Sequence, residues 1–96
     1  MLYLISYDIE CRSKEGRRRL ARVARLLERW GVRVQMSVFE VRIAEESWPF
    51  LRQAIVEEIR EDKDSVRVYP LNQRAEQASE RLGSRGPKYL FGGYLV

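Results

Sequence analysis

VRVQMSVFEVRI, residues 32–43, is dense in β-branched and aromatic side chains and contains no Gly or Asn turn signal. Its local signals read as one long strand. A tight reversal or bulge near Gln35–Ser37 is the alternative division, and it would make two strands of one. Pattern alone leaves both open, so the elements on either side have to be placed first.

On the N-terminal side, MLYLISYDI (residues 1–9) predicts an apolar strand from Leu2 to a lone carboxylate, Asp8. A helix follows from about Lys14 to Trp30, with Ser13 as N-cap and Gly31 as its stop. Leu20, Val23, Ala24 and Leu27 supply its buried stripe. On the C-terminal side, Ser47 can cap a second helix. Pro49 fits one of its first positions, and Glu45 and Glu46 lie near its positive dipole end. Trp48, Leu51, Ile55 and Ile59 form its core stripe, while Gln53, Glu57 and Arg60 face away. DSVRVYPL (residues 64–71) is another strand, and Asn72 to Leu82 reads as a short polar helix. GSRGP (residues 83–87) is a loop. YLFGGYLV (residues 89–96) is an apolar tail of strand propensity with a Gly92–Gly93 kink, expected to pair on a sheet edge of its own chain or of a second subunit.

The order strand, helix, strand region, helix, strand suggests an α+β fold of βαββαβ type, the ferredoxin-like split βαβ. Two helices would cover one sheet face, leaving the other for water, a ligand or a second copy. Ninety-six residues are read as one domain over 1–96, of a size that gains from a partner chain.

Composition narrows the chemistry. The chain has no histidine and one cysteine, Cys11. Ser-His-Asp and Cys-His catalysis, histidine general bases and histidine-held zinc are therefore excluded. A disulfide framework is excluded too, and Cys11 reads as a spare thiol in a reducing compartment. No apolar run approaches the roughly 20 residues that span a bilayer, and Met1 runs straight into a strand with no cationic leader. A cytoplasmic protein with no membrane partner is expected.

The net charge of +4 is concentrated: residues 1–43 carry +5 and residues 44–96 carry −1. Arg17, Arg18, Arg19, Arg22, Arg25, Arg29 and Arg33 all fall in the N-terminal part. A local cationic patch points to a polyanion partner. At about 100° per residue, Arg18, Arg22, Arg25 and Arg29 form one ridge opposite the apolar stripe, suited to gripping a phosphate backbone without reading bases. Arg17, Arg18 and Arg19 stand in the first turns of the helix, where cations oppose the macrodipole, so a bound anion there would account for them better than local stability does.

Asp8 ends a strand where loops and sites gather. It either holds a hard cation beside those arginines or merely ends the strand. Two copies of Asp8 across a two-fold axis would make a fuller Mg²⁺ site than one. Tyr3, Tyr7 and Phe39 could stack on bases. There is no P-loop, dinucleotide glycine signature, CxxC or HExxH.

In order along the chain, Tyr7-Asp8-Ile9, the arginines at 17–19, GVRVQMSVFE (residues 31–40) and DSVRVYPL resemble the CRISPR-associated protein 2 family, the small subunit of the spacer-acquisition machinery. Beyond Leu71 no family motif is legible. The resemblance implies a ferredoxin-like homodimer with facing sheets and a C-terminal strand that completes the partner's sheet. It implies an antiviral-defence role as a bridge between integrase subunits, holding the duplex DNA to be inserted. It also implies Mg²⁺-dependent endonuclease activity on single-stranded RNA or double-stranded DNA. Asp8 would be the catalytic metal ligand, with Arg17, Arg19, Arg33 and Phe39 as supporting residues. A non-catalytic DNA scaffold, toxin-like messenger-RNA nucleases of similar fold, and a general RNA-binding module are the alternatives.

Overall fold

The structure is a computed structural model that describes residues 1–83 and the backbone of 89–90 and 93–94. The elements are β1 (Leu2–Asp8), α1 (Lys14–Trp30), β2 (Gly31–Gln35), β3 (Val38–Arg42), α2 (Trp48–Glu58), β4 (Ser65–Leu71) and α3 (Gln73–Ala78). Beyond them, β5 (Tyr89–Leu90) and β6 (Gly93–Tyr94) pair antiparallel with each other. Apart from Gly83, the loop expected over 83–87 lies outside the described residues, as does the docking of the tail on a second subunit.

Residues 32–43 do not form one strand. A turn at Met36–Ser37 splits them into β2 and β3, whose register slips between Arg33 and Gln35. The reversal needs no glycine because neighbours hold it from outside. The Tyr7 backbone N–H donates to Ser37 O at 3.1 Å, and the Tyr7 hydroxyl donates to Met36 O at 3.2 Å. The sheet order is then β2-β3-β1-β4, antiparallel throughout, as βαββαβ requires.

Side-chain alternation sorts β1 into two faces. Tyr3, Ile5 and Tyr7 meet Val23 and Leu27 of α1, Leu51 and Ile55 of α2, and Phe39 and Val41 of β3 in one core. The Tyr3 ring stacks on Trp48 at 4.5 Å. Leu4, Ser6 and Asp8 belong to the opposite face, where the exposed Val32 and Tyr69 also lie by register. At one end of that face Arg42 Nη2 reaches Glu76 of α3 at 2.6 Å.

Ser13 caps α1, accepting from the Gly16 N–H at 3.0 Å. Gly31 follows the helix with an extended backbone (φ −160°) rather than a left-handed one. Its lack of a side chain matters because a Cβ there would stand 2.1 Å from Glu40 O of β3. Ser47 makes no side-chain cap; a 3-10 turn over Glu45–Ser47 leads into α2.

Gly16 has a similar role beside Asp8's loop, since an added Cβ would lie 1.9 Å from Glu10 O. Gly16→Ala should therefore destabilise the protein by about 1–3 kcal/mol from overpacking, although helix propensity alone favours Ala by about 1 kcal/mol. Thermal unfolding of the variant checks this, and a raised midpoint would contradict it.

Candidate functional site

Asp8 closes β1 opposite Ser65, with its side chain exposed and outside every hydrogen bond and ion pair found among the described residues. It borders a groove of about 440 Å³ between α1 and the β2–β3 turn. Arg17, Arg33 and Tyr7 line the same groove. Arg17 is anchored at the start of α1, where Nη1 donates to Arg12 O at 3.0 Å and Cys11 O at 3.4 Å. Arg33 lies over the Phe39 ring, its guanidinium carbon 5.2 Å from the ring centroid. Its Nη2 makes only a loose exposed pair with Glu28 at 3.4 Å. One carboxylate and two guanidinium-bearing residues therefore border the same groove, residue types suited to a phosphate with a hard cation.

Arg18, Arg25 and Arg29 are exposed and outside the ion pairs found among the described residues. Arg22, on the same ridge, pairs with Glu58 of α2 at 2.8 Å while half exposed, an arrangement worth little energy. Arg19 is not on the ridge and offers nothing to an external phosphate: it is 5% exposed, with Nε 2.8 Å and Nη2 3.2 Å from the two Asp64 oxygens. Phe39 is fully buried and Tyr7 is 5% exposed, their rings 6.1 Å apart. Neither is a stacking platform for bases, and Tyr3 is buried as well. Burial pushes the Tyr7 phenol above its ordinary value, against the pull of the Arg33 guanidinium. It is therefore not a general base near neutrality.

Asp64 and Glu10 were not legible as site residues. Asp64 is enclosed and also accepts the Arg60 N–H at 2.8 Å and the Glu10 N–H at 3.0 Å. Burial raises its carboxyl pKa, but Arg19 and the two N–H groups outweigh that and hold it below the ordinary value. Glu10 accepts from the Ser13 N–H at 2.8 Å and the Ser13 hydroxyl at 2.9 Å, and lies 3.6 Å from Arg19. The Ser13 donors, backbone first, hold its carboxyl low. Asp64 is 45 residues from Arg19, so no short-range pattern announces the pair.

Neither of these carboxylates lines the groove, where Asp8 is the one acid among the described lining residues. No group of three or more His, Cys, Asp or Glu able to hold a metal exists among the described residues. Mg²⁺ fits the arrangement as a partial site, because it binds through one or two carboxylates and completes its shell with water and substrate phosphate oxygens.

The family profile for CRISPR associated protein Cas2 matches residues 1–78. The chain belongs to the Cas2 family. The CRISPR-associated endoribonuclease Cas2 of Chlorobaculum tepidum is 37% identical over 96 residues, covering all of both chains. One from Thermus thermophilus is 39% identical over 90 residues, covering 93% of this chain and 90% of its own. A crystal structure of Streptococcus pyogenes Cas2 superposes with TM-score 0.76 at 35% identity, covering 86% of this chain and 100% of its own. A chain of a partial Cas6-RT-Cas1–Cas2 complex matches with TM-score 0.69 at 30% identity, covering 84% and 83% respectively. No helix among the described residues is long and apolar enough to cross a membrane.

Proposed function

We propose that this Cas2-family chain acts in CRISPR adaptation as a homodimer that meets the Cas1 integrase and holds duplex DNA, the spacer precursor. We also propose that it hydrolyses phosphodiester bonds, with single-stranded RNA as a second substrate class. The observation that carries the reading is that Asp8, Arg17 and Arg33 all line one groove, beside a ridge of exposed arginines. The complex that contains Cas1 and the endoribonuclease names of the relatives support the partner and the chemistry. The sheet face bearing Asp8, Val32 and Tyr69 supports self-association: it carries apolar surface, and two copies would bring two Asp8 residues together.

In this reading Arg17 and Arg33 orient the phosphate and offset its charge. Asp8 would hold Mg²⁺, which when bound polarises the phosphate and lowers the pKa of its water. A non-catalytic scaffold is the second reading, favoured by the commitment of Glu10 and Asp64 elsewhere. Labelled single-stranded RNA and duplex DNA, incubated with Mg²⁺ and with EDTA, separate the two. Cleavage confined to the Mg²⁺ samples supports the nuclease, whereas DNA binding without cleavage supports the scaffold.

The ridge gives a separate expectation. Replacing Arg18, Arg25 and Arg29 together with Gln should reduce the slope of log affinity against log salt by about 2.7, at roughly 0.9 per duplex phosphate contact. Anisotropy titrations of duplex DNA at several salt concentrations measure it. An unchanged slope would remove the ridge from the interface.

A further inference from the structure

We propose that the groove beside Asp8 seats one unpaired nucleobase, stacked on the outer face of the Arg33 guanidinium. This rests on the nucleic-acid reading above and specifies the part of the substrate that enters the groove.

Three observations carry it. First, the groove holds about 440 Å³, within the range of small-ligand pockets, and its wall is largely apolar: Leu20, Ala21 and Ala24 of α1 face Met36 of the turn. A phosphate alone has no use for such a wall, whereas a base has a flat apolar face. Second, Arg33 is sandwiched on one side only. Its guanidinium carbon lies 5.2 Å from the centroid of the buried Phe39 ring, and the side chain remains 40% exposed towards solvent. Guanidinium planes are one of the surfaces on which proteins stack unpaired bases. The buried Phe39 ring supports the guanidinium from the core side, so the aromatic acts through Arg33 without touching the base. Third, Met36 is 84% exposed at the tip of the turn, and its thioether is a soft, adaptable contact for a ring edge.

The charges agree with a nucleotide. With the base between Arg33 and Met36, its phosphates fall to Arg17, which lines the same groove. Bases inside a duplex are stacked and paired, so only a single strand, a frayed end or a flipped nucleotide can present one. The occupant is therefore single-stranded nucleic acid, distinct from the duplex contacts of the ridge. Stacking reads no hydrogen-bonding edge, so little base preference is expected.

A short homothymidine strand and its fully abasic counterpart, with a DNA duplex alongside, provide the test. The wild-type protein should bind the base-bearing strand about tenfold more tightly than the abasic one. Arg33→Lys keeps the charge but removes the plane, and Ala21→Trp fills the groove from an exposed helix position. Each should bring the ratio close to one. A wild-type ratio near one, with duplex binding intact, would overturn the inference and leave the proposed function standing. A tenfold ratio that survives in both variants would also overturn it, by placing the base elsewhere. Failure to bind either strand or the duplex would overturn the inference and the nucleic-acid reading together. The wild-type comparison requires no variant to fold.

Discussion

Asp64→Ala should cost about 3–5 kcal/mol of folding free energy, because it leaves a buried guanidinium with only the more distant Glu10 carboxylate, 3.6 Å away. Stabilities of small domains run to roughly 5–15 kcal/mol, so about a fifth or more of the total is at stake. At roughly 4–8 °C per kcal/mol for a domain of this size, the thermal midpoint should fall by tens of degrees. Arg19 is 5% exposed and Asp64 makes four hydrogen bonds, to Arg19 (two), Arg60 and Glu10. Asp64→Asn keeps an acceptor oxygen and should cost less than Ala. Thermal and urea unfolding of both variants check the order, and a loss under about 1 kcal/mol for Ala would show that the pair does not brace the fold.

The same carboxylate sets an acid dependence. Its folded pKa lies below the ordinary 3.8, so its contribution is complete above that value and disappears as pH falls through the depressed one. The stability gap between wild type and Asp64→Ala should therefore stay constant from neutrality down to about pH 5 and narrow below pH 4.

Asp8→Asn should leave stability within about 0.5 kcal/mol, as exposed substitutions away from special contacts do. Cleavage, if this chain is the proposed Mg²⁺ nuclease, should fall by at least about 100-fold, because metal assistance supplies several kcal/mol of the barrier reduction. Mixing wild-type and Asp8→Asn protomers then tests the paired site. If each site needs both copies, activity falls as the square of the wild-type fraction. If one Asp8 suffices, it falls in proportion. Cleavage that persists in pure Asp8→Asn would remove Asp8 from the chemistry.

Elements with a local signature were legible in the sequence: β1, α1 with its Ser13 cap, and the strand at 65–71 each carry one. The β2–β3 turn was not, because its restraints come from Tyr7, far away in the chain. Arg19 shows a different shortfall. Residues 16, 19, 23, 27 and 30 share one helix face, so one of three consecutive arginines had to point at the core. The periodicity held that information, but an arginine does not register as a core residue until its partner is known. The aromatics of β1 were ambiguous because Leu2 and Leu4 make its other face apolar as well, and alternation could not say which face met the helices. Asp8 was legible by position, and its groove became visible only once α1 was laid beside the turn.

The brace between Arg19, Glu10 and Asp64 fastens the end of β1 to the start of β4, and at the other end of β1 the Met1 and Ile43 backbones bond reciprocally and tie it to β3. The edge strand β2 has no such fastening, and its register is already broken near Arg33. Local opening should therefore begin at β2, with its amide hydrogens exchanging with solvent well before those of β1. Asp8, the proposed metal ligand, would then stand on the most protected strand, and Arg33 on the most readily opened one.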